Sequence, residues 1–187
     1  MPSRKSTEAS RAGRKLAAAL DAFAIDPAGC VCADLGSNAG GFVQVLLERG
    51  ALRVYAVERG YGVIDYRLRR DPRVVVRERS DALSVFLPEP VDLVTIDVGW
   101  TRQERILPAA ARLLKPEGRI VSLVKPHYEG EAAQLDGGVL RPRHLPAVLD
   151  HVRRTVAGLP VTILGEFESP LRGHGGNVEY LWLMRPR

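Results

Sequence analysis

The chain has 187 residues, 45% of them hydrophobic, which suits one globular domain with a full-sized core. Lysine and arginine total 27 against 22 acids, for a net charge of +5, which favours a polyanionic partner without requiring one. No segment approaches membrane-spanning length and no apolar run follows the charged start, so a cytoplasmic protein with no membrane partner is expected, a monomer being favoured.

Residues 1–9 read as a basic mobile arm ahead of a single domain over 10–187. Leu16, Ala19, Leu20 and Phe23 stand at helical spacing and predict a helix from about Ser10 to Ala24. "GCVCADLG" is a short apolar run closing on Asp34 and Gly36, and a helix opens at "AGGFVQVLLERG" to end at Gly50. "RVYAVERG", "RVVVRER" and "VDLVTIDVG" are further strands, "RQERILPAAARLL" a helix and "GRIVSLV" the fifth strand. Strands alternating with helices indicate a mainly parallel sheet covered on both faces. After a helix near 142–157, "PVTILGEFES" and "NVEYLWLMR" joined by "PLRGHGG" predict a terminal hairpin, with the last strand antiparallel to the others.

Cys30 and Cys32 sit two apart in an apolar run, a spacing that suits neither a disulfide nor a zinc site, so both read as reduced core residues. The four histidines are scattered singly and suggest no metal site. Basic residues cluster twice: Arg4, Lys5, Arg11, Arg14 and Lys15 face only Glu8, and Arg67, Arg69, Arg70, Arg73, Arg77 and Arg79 surround Asp71 and Glu78. Each cluster reads equally as a solvated face or an RNA-facing one.

The first strand–helix junction, "DLGSNAGGF", offers glycines that let backbone approach a ligand and a helix start with free N–H groups. Its glycines, Gly36, Gly40 and Gly41, do not have nicotinamide-site spacing. "AVERG" places Glu58 about twenty residues on, suited to a ribose diol, and "RSDAL" places Asp81 after the third strand. Together these strand ends describe a nucleoside pocket; the plainer alternatives are a surface acid at Glu58 and an N-cap at Asp81.

Only Lys5, Lys15, Lys115 and Lys125 interrupt a chain that otherwise uses arginine, 27 − 4 = 23 times. Lys125 ends the fully apolar fifth strand in "RIVSLVKPHYEG". Burial and a neighbouring cation lower a lysine's pKa, whereas arginine stays charged, so this position suits an amine that must release a proton.

The ordered series "SRAGRKL", "ADLGSNAGGF", "VYAVERGYG", "DPRVVVRER", "LVTIDVGW", "LVKPHYE" and "GNVEYLWL" resembles the FtsJ-like S-adenosylmethionine-dependent RNA 2′-O-ribose methyltransferases, above all the TlyA-type (hemolysin-A-like) branch that acts on rRNA. The resemblance implies a Rossmann-like class I α/β fold with a mostly parallel seven-stranded sheet and an antiparallel C-terminal strand. It implies S-adenosylmethionine as cofactor, RNA (rRNA or a ribosomal subunit) as partner, and a Lys–Asp–Lys–Glu tetrad. By motif the tetrad falls on Lys15, Asp97, Lys125 and Glu179, with Lys5 competing for the first place. The cofactor would be held by Asp34, Gly36, Ser37, Asn38, Gly40, Gly41, Phe42, Glu58, Arg59, Asp81 and Asp97, its methionine, ribose and adenine ends falling to the loop, Glu58 and Asp81. Lys15 would then depress the pKa of Lys125, and Glu179 would fix one of the lysines.

Three departures accompany the resemblance. TlyA-type proteins carry an S4-like RNA-binding module, where here a short basic arm precedes residue 10, so RNA binding is expected from that arm, the arginine clusters or a partner. "SNAGG" and "DVGW" replace the family's usual loops, and Trp100 reads as a base-stacking, lid or core residue. Plainer readings stay open as well: Lys15 solvated, Asp97 capping a helix near Thr101, Glu179 pointing outward. Methylation of a small molecule or protein, or a non-catalytic RNA- or ribosome-binding role, are the alternative functions.

Overall fold

The computed structural model describes residues 4–187, with side chains from Arg11 onward. α1 (Arg4–Ala22) begins inside the segment expected as an arm, because no glycine or proline interrupts residues 4–12. The rest of that expected arm, and the side chains of Arg4 and Lys5, lie outside the described residues. Leu16, Ala19 and Leu20 are fully buried, each large one worth about 1.5–3 kcal/mol of burial. Phe23, just past the helix, meets Phe167 edge-on at 6.3 Å.

The chain continues through β1 (Val31–Leu35), α2 (Gly41–Glu48), β2 (Arg53–Val57), α3 (Tyr66–Arg70), β3 (Val74–Arg77), β4 (Val91–Ile96), α4 (Gln103–Ala111) and β5 (Leu114–Val124). It ends with α5 (Pro126–Glu129), a two-stranded ribbon of β6 (Leu135–Asp136) and β7 (Val139–Leu140), α6 (Leu145–Ala157), β8 (Val161–Glu168) and β9 (Tyr180–Pro186). Seven strands form one sheet in the order β3-β2-β1-β4-β5-β9-β8. β1 to β5 run parallel, and β9 lies antiparallel between β5 and β8, as the terminal hairpin predicts.

Alternate strand residues feed two apolar layers. Ala33, Leu35, Ile96, Ile120 and Trp182 pack on one face with α4 and α6. Cys32, Leu93, Val121, Leu123 and Leu181 pack on the other with α1 and α2. Cys32 is buried and unbridged, its thiol pKa pushed up by burial. α1 can lie against α2 because Gly13 has no side chain; a Cβ there would stand 2.9 Å from the Gly41 carbonyl oxygen.

Two registers build the site. The winding reverses between β1 and β4, where an α/β sheet opens its binding crevice. Leu35 pairs with Ile96, so Gly36 and Asp97 leave the sheet side by side, and the Asp97 N–H donates to the Leu35 carbonyl at 2.9 Å. A Cβ on Gly36 would lie 2.5 Å from the Asp97 carbonyl oxygen, and its φ of 85° is left-handed, so this turn requires glycine. On the other side Val124 pairs with Tyr180, which brings the end of β5 next to the start of β9.

Candidate functional site

Two cavities meet along the carboxyl edge of the sheet. The first, about 280 Å³, is lined by Gly36, Asn38, Glu58, Arg59, Asp81 and Asp97 among others. The second, about 340 Å³, is lined by Lys15, Asn38, Asp97, Lys125, His127 and Glu179 among others. Asn38 and Asp97 belong to both, and a cleft of about 40 Å³ under the loop shares them with Asp34, Ser37, Gly41 and Phe42. Gly40 lines none of the three: a Cβ there would run into Leu68, so it serves the turn that starts α2. A groove of about 300 Å³ between α2 and α3 lies on the flank and contains none of the expected site residues.

In the first cavity Glu58 accepts hydrogen bonds from the Asn38 N–H at 2.8 Å and the Gly60 N–H at 2.7 Å, so it braces the glycine loop rather than standing idle on the surface. Asp81 lines the wall while accepting from the Leu83 N–H at 2.9 Å, a turn contact; it caps no helix, since residues 82–84 form only a turn. Asp34 is fully buried at the root of the loop. Its Oδ1 accepts from the Thr95 hydroxyl at 2.7 Å and its Oδ2 has no partner. Burial pushes the carboxyl up to about 7 against the pull of Thr95 and Ser37, and the nearby Asp97 and Glu58 charges add to the rise. A buried oxygen without a donor is costly unless a ligand supplies one.

The second cavity gathers all four tetrad positions. Lys15 donates to Glu179 at 2.5 Å, with Lys15 8% and Glu179 4% exposed. The solvated reading of Lys15 and the outward reading of Glu179 therefore do not hold: Lys15 precedes the core residue Leu16 on the buried side of α1. Lys125 pairs with Asp97 at 2.6 Å and donates to the Val98 carbonyl at 3.2 Å. Asp97 caps no helix, since α4 starts at Gln103 and its N–H donates to Glu129 at 2.8 Å.

The expectation that Lys125 has a lowered pKa is corrected. Burial does lower it, but the Asp97 carboxylate in contact, reinforced by Glu179 and Tyr128, outweighs burial and raises it above the ordinary lysine value. Lys15 cannot reverse this, because its own charge is matched by Glu179. The arginine cluster at 67–79 is largely engaged on its own flank: Arg67 pairs with Asp65, Arg69 with Glu78 and Arg73 with Asp71.

Sequence reasoning passed over the residues after Lys125. His127 is buried beside the tetrad, its ring 4.2 Å from that of Tyr128. Tyr128 in turn stacks on Trp100, centroids 4.7 Å apart. Trp100 is 85% exposed and holds a φ of 58°, so it is no core residue. Two aromatic rings immediately behind the strand-end lysine were the available signal.

The sheet order, the glycine turn at the winding reversal and the acids at the strand ends define a Rossmann-like class I methyltransferase fold. An S-adenosylmethionine-dependent methyltransferase from Mesorhizobium loti shares it at a TM-score of 0.63 and 17% identity, over 90% of this chain and 96% of that one. Residues 9–185 match the family model described as FtsJ-like methyltransferase, and the chain belongs to that family. The 16S/23S rRNA (cytidine-2′-O)-methyltransferase TlyA of Mycobacterium tuberculosis is 44% identical over 93% of this chain and 67% of its own length. Hemolysin A of Brachyspira hyodysenteriae is 33% identical over 92% of this chain and 74% of its own. A chain solved under a hemolysin name from Streptococcus thermophilus superposes with a TM-score of 0.90 at 32% identity, covering 94% of this chain and 66% of that one.

Proposed function

We propose that this chain is an S-adenosylmethionine-dependent ribose 2′-O-methyltransferase of RNA, with rRNA the first candidate. The observation that carries the reading is the meeting of two cavities at Asp97, one lined as a nucleoside pocket and one holding the pairs Lys125–Asp97 and Lys15–Glu179. The relatives named as rRNA 2′-O-methyltransferases support the substrate class.

The residues fit the cofactor. The unpartnered Asp34 oxygen wants a donor, and an amino-acid ammonium supplies one with the matching charge. Glu58 suits a ribose diol, Asp81 and Arg59 the base end, and the Gly36–Phe42 backbone the remaining close approach. When bound, S-adenosylmethionine supplies an electrophilic methyl on a sulfonium.

The tetrad residues then act on the hydroxyl. In the resting cleft Lys125 is an ammonium held by Asp97, a donor that orients an incoming oxygen. Asp97 raises the Lys125 pKa in the resting cleft; with that carboxylate offset by a bound cofactor's charge, Lys125 would release its proton to solvent and, as the amine, would accept the hydroxyl proton. Lys15 and Glu179 neutralise each other and fix the opposite wall, so alignment of the reacting atoms supplies much of the rate. Trp100, exposed at the rim, offers a face for a base, and Arg11 and Arg172 line the cleft mouth for phosphate.

The test is transfer of a tritiated methyl group to separated RNA, protein and small-molecule fractions. Label is expected in RNA, in dinucleotides that resist alkaline hydrolysis. Label confined to protein or small molecules overturns the reading. A chain that binds no S-adenosylmethionine by calorimetry points to the non-catalytic alternative.

A further inference from the structure

His127 sits among the tetrad residues without taking part in either ion pair. It is 8% exposed, packed in α5 behind Lys125, and lines the cavity that holds Lys15, Asp97, Lys125 and Glu179. Its Nδ1 is buried with no hydrogen-bond partner. Burial keeps the imidazole neutral, with a pKa lowered to about 4 to which Lys125, Lys15 and His174 contribute. A buried imidazole with an orphaned nitrogen costs stability, and a leucine of similar volume would not incur that cost. A fold that keeps it there is carrying it for another purpose.

The tautomer follows from the burial. A neutral imidazole has one N–H and one lone pair. A buried N–H without an acceptor is the rarer and costlier orphan, so the lone pair belongs on Nδ1 and the proton on Nε2. Nε2 is not among the buried unpartnered atoms and makes no protein hydrogen bond among the described residues, so the cavity is where it meets solvent. His127 therefore presents a neutral N–H to the cleft, beside two lysines that are each already paired with a carboxylate. We infer that His127 is a positioning residue for the RNA substrate, its Nε2–H donating to an oxygen of the nucleotide whose ribose enters the tetrad cleft.

This rests on the reading of the cleft as the methyl-transfer site. A neutral donor suits that role, because it fixes the oxygen without adding a third positive charge beside Lys125. The tilted stack of His127 on Tyr128, and of Tyr128 on Trp100, fixes the ring plane from which that N–H projects.

The experiment compares wild type with H127L, H127Q and H127N. It measures RNA dissociation constant, KM and kcat with deproteinised rRNA, S-adenosylmethionine affinity, and thermal midpoint. H127L is expected to raise KM and the RNA dissociation constant roughly five- to tenfold, the loss of one neutral hydrogen bond, while cofactor affinity holds and the midpoint stays or rises. The carboxamide nitrogen of glutamine reaches the place of Nε2 and that of asparagine the place of Nδ1, so H127Q should restore RNA affinity and H127N should not. H127L within about twofold of wild type in both constants overturns the inference, as does a fall in midpoint that tracks the loss of activity in every variant. If the wild type binds RNA but transfers no methyl group, the functional reading fails, and the dissociation constants still decide the role of His127. If it binds no RNA, both fall.

Discussion

Lys15 and Glu179 lie 164 positions apart in the chain and 2.5 Å apart in the fold, both nearly out of water. Removing one partner leaves the other charge buried alone, at a cost of about 3–5 kcal/mol. E179A is expected to lose stability on that scale in urea titration. A K15M/E179L double variant should recover most of it, since replacing both charges by apolar groups is close to neutral. The double variant should remain inactive, which separates the stability role of the pair from its place in the cleft.

K125A is expected to reduce methyl transfer by roughly 10²–10⁴ while calorimetric binding of S-adenosylmethionine is retained. K125R is the sharper test. Arginine keeps the charge opposite Asp97 but cannot release its proton, so a variant as inactive as K125A assigns the residue to proton transfer. An active K125R would assign it to electrostatics alone.

On the proposed reading, in which Asp34 takes the cofactor's ammonium, cofactor binding should depend on pH with a definite sign. The carboxylate pairs with an ammonium; the protonated acid does not. As pH falls below about 7, affinity should decline toward tenfold per unit, measured by calorimetry between about pH 5.5 and pH 8. The ligand-free fold should respond in the opposite sense. Its Asp34 pKa lies above the unfolded value of 3.8, so the folded state takes up the proton first and gains stability as pH falls from about 7 toward 3.8. D34N should flatten both curves.

G36A forces a Cβ against the Asp97 carbonyl and a left-handed φ on alanine. It should lower stability by about 1–3 kcal/mol. It should also weaken cofactor affinity more than stability alone explains, because relief of the clash displaces Asp97, which lines every cavity of the site. Thermal melts with and without S-adenosylmethionine give both numbers.

The long apolar strands and the helices beside them were legible in the sequence because their periodicity runs over whole elements. α3, α5 and the β6–β7 ribbon were not: each is too short to show a period, and α3 buries no residue. The lining of the first cavity was legible because Gly36, Glu58 and Asp97 follow strand ends directly. The pairing of Lys15 with Glu179 depends on how α1 crosses the sheet, which no local pattern encodes. The pKa of Lys125 was read with the wrong sign for a related reason. Burial is visible in an apolar run, but the 2.6 Å contact with Asp97 that overrides it is not.

β9 has one more consequence. A parallel final strand would have delivered Glu179 to the far edge of the sheet; the reversed one delivers it beside Lys125. In the chain, Glu179, the partner of Lys15, follows every residue lining the first cavity. The chain through α6 contains every residue lining the first cavity, yet lacks the carboxylate for Lys15 and the strand that covers the outer edge of β5. Clipping the chain before β9 would also strip Leu181, Trp182 and Met184 from the two apolar layers, so the strand that carries the partner of Lys15 to the cleft is the same one that completes the core on both faces of the sheet.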